Sequence, residues 1–302
     1  MAERTQVTPV GDVRRPDMAM ERSIRLPRLR PATLVWFTMA LILALSFFFP
    51  VFFMVTSSFK AESEIFATPI HWLPYDFQGL AQYQKAFDQV PLGRFFFNST
   101  LMATIDVIVT VIFSAMAGYG FAKFRFRGQR LLFFAVLATI SVPFQILIVP
   151  LYVQIFNYGW ADTYAGLIIP GIMNAFGVFM MRQFAYSIPD ELIDAARIDG
   201  AGELRIFWRL VLPLLAPAAA SLAVIIFLFS WNNFLWPLIV IRSQQLQTIP
   251  VGMTVFIAPH NGQPQWAVSM AVSTMATLPV ALLFIFLQRY FVAGLTMSGL
   301  KG

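Results

Sequence analysis

The stretch Ser187–Pro213 reads SIPDELIDAARIDGAGELRIFWRLVLP and predicts two short helices joined by a glycine. Ser187 is a favourable N-cap for the first helix, and Asp190, three residues later, completes an arrangement like a capping box. Asp190 and Glu191 then lie in the first turn, where the helix dipole favours acidic side chains. Gly200 predicts the end of this helix, because glycine readily adopts the left-handed conformation that follows a last turn.

A second short helix is expected over about Glu203–Leu212, and Pro213 is expected to open a long apolar helix. Within the first helix, spacing of i, i+3, i+4 and i+7 places four residues on one face: Leu192, Ala195, Ala196 and Asp199. That face is small and smooth, with an acid at its end. Two interpretations stay open: the face receives a partner protein, or the loop packs only against its own bundle.

The composition of the whole chain is that of a membrane protein. Of the 302 residues, 58% are hydrophobic and 12% are charged, whereas about 25% charged residues are usual in a soluble domain. The mean hydropathy is +0.70. These values exclude a disordered chain, a nucleic-acid-binding domain and a typical cytosolic enzyme. The chain has no cysteine for thiol chemistry, and its two histidines, His71 and His260, leave little for a metal site.

Apolar runs that are nearly free of charge predict six transmembrane helices, since about 20 apolar residues cross a bilayer. The expected spans are 33–55, 95–122, 131–153, 163–181, 214–237 and 268–287. Prolines and glycines within these runs argue against simple straight helices. The fold class is therefore an all-α polytopic membrane protein with six transmembrane helices.

Basic residues predict the orientation of the chain. With the N-terminus inside, the cytoplasmic segments hold 17 Lys and Arg and the outer segments hold 4, as the positive-inside rule requires. The expected segments are a cytoplasmic basic tail (1–32), a first transmembrane helix (33–55), a periplasmic segment (56–94), a permease core (95–289) and a cytoplasmic tail (290–302). A lateral helix is expected near Leu80–Phe87 in the periplasmic segment.

The loop Ser187–Pro213 resembles the EAA loop of permease subunits of ATP-binding-cassette importers, whose pattern is E-A-A-x3-G-x9-I-x-L-P. The matching positions are Asp194, Ala195, Ala196, Gly200, Leu210, Leu212 and Pro213. The spacing is kept throughout. Asp194 stands for Glu and Leu210 stands for Ile, and both changes are conservative.

Other segments resemble the MalG-like branch of this family, which takes up carbohydrates. They are FKAESEIFATPIHWLP after the first span, FFFNSTLMA and AGYGFAKFRFRG around the second, WNNFLWPLIV in the fifth, and QRYFVAGLTMSGLKG at the C-terminus. The resemblance implies the type I ABC importer (MetI-like) transmembrane fold, in a bacterial inner membrane. Its implied partners are membrane lipid, a second, MalF-like permease, two ATP-binding subunits and a periplasmic or lipid-anchored solute-binding protein; nucleic acid is not among them.

The resemblance also implies that the loop docks in a groove of the ATPase. The residues that it assigns to docking are Glu191, Asp194, Ala195, Ala196, Asp199, Gly200, Leu210 and Pro213. The chain has no G-x4-G-K-[ST] sequence, the motif that cradles nucleotide phosphates. We therefore expect no cofactor in this chain and no enzyme activity, with ATP and Mg²⁺ bound by the partner ATPase.

Polar residues inside the spans are the candidates for the substrate pathway, because each must find a partner away from water. They are Asp106, Gln145, Asn174, Trp231, Asn232, Asn233 and Trp236. Aromatic rings beside amides suit sugars. In the alternative interpretation, the amides hydrogen-bond between helices and the tryptophans anchor at the membrane interface. Asp106 has three readings: it accepts sugar hydroxyls, pairs with the second permease or lies near the outer interface.

Other functions and solutes remain open at this point. A secondary transporter would need coupling-ion carboxylates in its spans, and Asp106 is the only charge inside one. A membrane-embedded hydrolase would need nucleophiles or metal ligands at membrane depth, where the expected spans have no His or Cys. Within the family, the sequence does not show whether the transported solute is a sugar, a glycerol phosphate, a polyol or a sulfonated sugar glycoside.

Overall fold

A computed structural model describes residues 31–258 and 262–299, and these residues form helices and turns without a strand. The chain divides into two compact units, one ending at Phe49 and the other beginning at Pro50. Of the first unit, only the helix from Pro31 to Phe49 is described. The expected basic tail up to residue 30 and His260 lie outside the described residues.

The described residues form fifteen α-helices. They are α1 (Pro31–Ser57), α2 (Ala81–Gln89), α3 (Leu92–Lys123), α4 (Gln129–Ile140), α5 (Phe144–Asn157), α6 (Tyr164–Ile168), α7 (Ala175–Ala185), α8 (Asp190–Ile198), α9 (Glu203–Ile206), α10 (Leu212–Leu214), α11 (Ala216–Trp231), α12 (Leu235–Val240), α13 (Ile249–Gly252), α14 (Thr254–Ile257) and α15 (Trp266–Gly299). Short 3₁₀ turns cover Glu62–Glu64, Ile169–Gly171 and Gln244–Leu246, and a π-helical turn covers Phe207–Val211.

Three helical stretches are long and apolar enough to cross a membrane alone: Ala32–Ser57, Leu92–Lys123 and Trp266–Phe286. Three further pairs meet the same criteria together but are bent at a short break. The bend is 98° between α4 and α5, 43° between α6 and α7, and 77° between the Glu203–Leu214 segment and α11. The described ranges therefore contain three such spans, or up to six if each bent pair is one span.

The expected span 131–153 is not one helix. It is broken at residues 141–143, where α4 ends and Pro143 precedes α5. Proline lacks the N–H that would continue the hydrogen-bond ladder, and it disfavours helical geometry in the residue before it. Pro50 and Pro279, by contrast, lie inside continuous helices.

The expected span 214–237 is corrected at both ends. The long helix α11 begins at Ala216, so Pro213 does not open it and lies instead in the one-turn helix α10. Pro217 occupies the first turn of α11, where a missing N–H costs nothing. The helix then ends at Trp231, and residues 232–234 separate it from α12.

The last helix, α15, continues to Gly299. The segment 290–302, which the sequence analysis assigns to a cytoplasmic tail, is thus helical over 290–299. The boundary at 290 is not a helix boundary, and the sidedness of this segment stays a prediction.

Helix α3 lies at the centre of the second unit, against α7 and α11, and α11 packs in turn on α15. The approach of α3 to α7 is close: a Cβ on Gly118 would lie 2.6 Å from the backbone nitrogen of Arg182. Small residues allow such close packing of membrane helices. A buried apolar cluster surrounds this contact and includes Met181, Ile193 and Val211.

The segment between α1 and α3 folds back onto the bundle. Helix α2 confirms that a helix forms near Leu80–Phe87, and its lateral position at the membrane stays a prediction. The Glu62 carboxylate accepts hydrogen bonds from the backbone N–H groups of Trp266 and Ala267, at the start of α15. An acid at a helix N-terminus satisfies free N–H groups and complements the dipole.

Candidate functional site

The first helix of the loop, α8, ends as its sequence predicts. Gly200 has φ +80°, its N–H donates to the carbonyl of Arg197, and the N–H of Ala201 donates to the carbonyl of Ala196, both at 3.0 Å. This pair of bonds is a Schellman motif, which requires a left-handed residue after the last turn. The predicted role of Gly200 in ending the helix is confirmed.

The predicted start of α8 is wrong. The helix begins at Asp190, and the residue before it, Pro189, offers no side-chain cap. Ser187 lies two residues too early. Its hydroxyl donates instead to the carbonyl of Phe184 at 2.7 Å, in the turn that ends α7.

The predicted smooth face of α8 is split between solvent and core. Leu192, Ala195 and Asp199 are exposed, whereas Ala196 is half-buried against the apolar cluster. Ile193, which the sequence analysis did not single out, is 2% exposed and anchors the helix. One side of α8 is therefore fixed to the bundle while the other stays open.

Three further apolar side chains of this loop are exposed and were missed in the sequence: Ile198, Leu204 and Trp208. Their signal was available, since large apolar residues interrupt an otherwise charged stretch outside the expected spans. Together with Leu192 and Ala195 they form what we call the loop surface.

Arg197 connects the two helices of the loop. Its guanidinium binds the carboxylates of Asp194 at 2.9 Å and Glu203 at 2.7 Å. The Tyr119 hydroxyl, near the C-terminal end of α3, donates to the other oxygen of Glu203 at 3.3 Å. Asp194, the acid of the EAA pattern, is thus engaged within its own loop.

Lys123 holds the beginning of α8. Its Nζ lies 2.6 Å from Asp190 Oδ1 and also donates to the carbonyl of Ile188. The Lys123 side chain is almost buried, while that of Asp190 is exposed. The hydrogen bond from Lys123, aided by its charge, holds the pKa of Asp190 below its usual range.

The remaining docking candidates differ in exposure. Glu191 and Pro213 are exposed, and Leu210 is half-buried against the apolar cluster. The eight docking candidates therefore come together in one loop at one end of α3, α7 and α11. Leu210 and Ala196 contribute mainly to its support.

The two tryptophan candidates of the pathway are buried. Trp231 donates from Nε1 to the carbonyl of Ala276 at 3.1 Å and stacks on Phe227. Trp236 donates to the carbonyl of Gly166 at 3.1 Å. Both indoles thus donate hydrogen bonds to other helices, a role that the alternative interpretation gave to the amides, and Trp231 also borders a cavity of about 350 Å³.

The amide candidates lie apart from one another. Asn232 borders the same cavity as Trp231 and donates to the carbonyl of Leu228 in its own helix. Asn174 caps α7 by accepting from the Gly177 N–H at 2.9 Å. Asn233 is half-buried and Gln145 is exposed.

A larger cavity, of about 550 Å³, lies where the breaks of the α4–α5 and α6–α7 pairs meet. Asn174 lines it together with Thr139 and Gln154, among apolar side chains. The capping role of Asn174 was missed in the sequence, although an Asn before an apolar helix is a usual N-cap signal.

Asp106 borders neither cavity. It is 5% exposed, and the hydroxyl of Ser230 donates to its Oδ2 at 2.6 Å. Its Oδ1 is buried without a partner among the described residues. Within residues 31–258 and 262–299, no group of three or more His, Asp or Glu side chains is placed to hold a metal ion.

Comparison with known proteins gives a family match over much of the chain. The model of the family described as binding-protein-dependent transport system inner membrane component matches residues 110–297. This range contains α8, Gly200 and both cavities.

Three curated relatives are permease proteins of transport systems. The chain is 37% identical to the arabinooligosaccharides permease AraQ of Halalkalibacterium halodurans, over 84% of this chain and 91% of that protein. It is 33% identical to the lactose permease LacG of Rhizobium radiobacter, over 83% and 90%. It is 32% identical to the sn-glycerol-3-phosphate permease UgpE of Yersinia enterocolitica, over 86% and 94%.

Two solved structures share the fold. The first is a chain of a bacterial ABC transporter involved in the import of the acidic polysaccharide alginate. It has a TM-score of 0.77 and 22% identity, and the match covers 88% of this chain and 100% of that one. A chain of a bacterial alginate ABC transporter, in complex with an alginate pentasaccharide-bound periplasmic protein, has a TM-score of 0.55 with 13% identity, over 83% of this chain and 92% of that one.

Proposed function

The chain belongs to the family of binding-protein-dependent transport system inner membrane components, and on that premise we propose that it forms one half of the translocation pathway of an ATP-driven importer for a sugar or sugar derivative. The observation that carries the proposal is the loop Ser187–Pro213. Its EAA spacing coincides with a helix that is fixed to the bundle on one side and open on the other.

Six membrane spans belong to this proposal. Three are the single helices, and three are the bent pairs that meet the length and hydropathy criteria together. The excess of Lys and Arg in alternate segments supports an N-terminus and a C-terminus on the cytoplasmic side. With that orientation, α8 lies at the cytoplasmic surface of the inner membrane.

The partner of the loop surface is an ATPase subunit. The loop surface has five exposed residues, four of them large and apolar, which are costly to leave in water at the end of a membrane bundle. A groove in a partner would cover these residues, and the small side chain of Ala195 would let the wall of that groove approach α8 closely. Two ATPase subunits, holding ATP and Mg²⁺, a second permease and an external solute-binding protein complete the importer. Closure of the ATPase pair would then displace α8.

The solute that fits best is an uncharged saccharide. The larger cavity offers the amides of Asn174 and Gln154 and the hydroxyl of Thr139, and no Lys or Arg of the described residues lines it. Amides and hydroxyls bind sugar hydroxyls, whereas a phosphate ester would call for cationic partners. A glycerol phosphate is the second candidate, because one relative carries that name.

The test is uptake into proteoliposomes that contain the chain with its sister permease and ATPase, supplied with the solute-binding protein. We expect uptake of a labelled arabinooligosaccharide that requires both ATP and the binding protein. An excess of lactose or sn-glycerol-3-phosphate, each in a separate reaction, identifies the solute class by competition. Uptake that persists without ATP would contradict the proposal and favour a secondary transporter.

A further inference from the structure

Two routes lead from α8 into the membrane bundle. The first follows the chain through α9, the π-helical turn and α10 into α11. This route contains a π turn, closed by the Leu212 N–H on the carbonyl of Phe207, and then a 77° bend at Leu215. A π turn interrupts the regular hydrogen-bond ladder of a helix, and the bend changes the direction of the chain. The route along the chain is therefore interrupted twice before the long helix α11 begins.

The second route runs sideways into α3. At the beginning of α8, Lys123 binds the Asp190 carboxylate and the Ile188 carbonyl. At its end, Arg197 joins Asp194 and Glu203, and Tyr119 donates to Glu203. Both ends of α8 are thus tied to the last two turns of the same helix. We call these five side chains, Tyr119, Lys123, Asp190, Arg197 and Glu203, the α3 clamp.

Aromatic side chains pack around the α3 clamp and support it. Tyr119 is almost fully buried, and its ring meets Phe124 edge-on and packs against Phe207. The Arg197 guanidinium lies 5.9 Å from the centre of the Phe124 ring. A buried tyrosine whose hydroxyl reaches an ion pair couples that pair to the core, because its ring cannot move without disturbing its neighbours.

Beyond the clamp, α3 is continuous for 32 residues. Midway along it, Asp106 accepts from Ser230 of α11, and Thr110 donates to the carbonyl of Ile172, at the break before α7. Gly118 brings α3 against Met181 of α7. A displacement delivered to the end of α3 therefore reaches both the α6–α7 break and α11 through direct contacts.

We infer that α3, rather than the chain continuation into α11, receives the displacement of α8, and that Arg197 and Lys123 are positioning residues for this energy coupling. The inference rests on the proposed function, since it assumes that an ATPase moves α8. The inference also implies that the Asp194 carboxylate pairs with Arg197 in its own loop and does not bind the ATPase.

The experiment measures transport per ATP hydrolysed by the complete importer in proteoliposomes. The clamp variants are Arg197→Met and Tyr119→Phe. Their matched controls are Arg205→Met, an exposed arginine without an ion pair in the described ranges, and Tyr186→Phe, whose hydroxyl binds Arg182 away from the clamp. We expect each clamp variant to lower transport per ATP roughly fivefold, with the ATPase still co-purifying, and the controls to stay unchanged.

Two further variants separate the clamp from general loss of structure. The exchange Lys123→Asp with Asp190→Lys should restore at least part of the transport per ATP that either single change removes. Pro217→Gly, which loosens the first turn of α11, should have little effect. If the clamp variants couple normally, or if Pro217→Gly uncouples more strongly than they do, α3 is not the receiving helix.

Failure of the proposed function looks different from failure of the clamp. If the unaltered chain shows no ATP-dependent uptake and binds no ATPase, the proposed function is wrong, and the inference falls with it. If the unaltered chain transports and the variants match it, only the inference is wrong.

Discussion

The indole nitrogen of Trp231 donates a hydrogen bond to the carbonyl oxygen of Ala276 at 3.1 Å, and so joins α11 to α15. The same ring stacks on Phe227, with 5.4 Å between the ring centroids, and is almost fully buried. These contacts make Trp231 part of the bundle core, although the aromatic–amide sequence around it resembles a sugar site.

Trp231→Phe should therefore lower stability without changing recognition of the solute. The lost hydrogen bond is worth about 1 kcal/mol of the free energy of unfolding, while the KM for uptake should stay the same. Thermal unfolding in detergent and uptake kinetics measure the two effects. Phe229→Leu is the control on the same helix, because Phe229 is exposed and should alter neither quantity. A raised KM in Trp231→Phe would place the indole on the pathway instead.

The part of the fold that was predicted from the sequence depends on local signals. A glycine after a short charged helix led to the end of α8, and runs without charge led to the apolar helices. The breaks depended on tertiary context. Pro143 lies in the break of the 98° bend between α4 and α5, whereas Pro50 and Pro279 lie in unbroken helices, so the residue type alone does not determine the outcome.

Contacts between distant parts of the chain could not be predicted from the sequence either. Lys123 and Asp190 are 67 positions apart, and their pairing requires the packing of α3 beside α8. Asp106 stood out as the only charge in an expected span, but its partner, Ser230, is 124 positions away. A single sequence shows which groups need partners and leaves the partners undetermined.

Gly200→Val should prevent docking of the loop. A β-branched residue at φ +80° is strained, at a cost of about 1–2 kcal/mol, and relief of that strain would undo the Schellman motif. We expect loss of the ATPase from the purified complex. Gly202→Val is the matched control, since Gly202 has φ −71° and a Cβ there meets no atom within 4 Å. Equal loss in both variants would mean that bulk, and not backbone geometry, matters in this loop.

The Lys123–Asp190 pair should make stability depend on pH. Because the folded state lowers the pKa of Asp190, the carboxylate stabilises the fold above its unfolded pKa, about 3.9, and this contribution is lost as the pH falls through the lower, folded pKa. Asp190→Asn should therefore lower the melting temperature at pH 7, with a smaller difference from the unaltered chain at pH 3. Asp199→Asn, at an exposed acid of the same loop that has no ion pair in the described ranges, should show no such trend. A pH-independent difference for Asp190→Asn would show that the ion pair is not its cause.

The contact of Asp106 with Ser230 predicts that Asp106 acts inside the bundle. Its Oδ1 is buried without a partner among the described residues, and its Oδ2 depends on one hydroxyl. Asp106→Asn keeps an acceptor for Ser230 and removes the need to bury a charge, so we expect the melting temperature and the KM for uptake to be maintained. Ser230→Ala leaves the buried carboxyl without its donor and should cost about 1–3 kcal/mol. Asp106→Leu, which removes the acceptor, should also destabilise. If Asp106→Asn abolishes uptake while its melting temperature is unchanged, the carboxylate charge itself serves transport, and the assignment to the bundle is wrong.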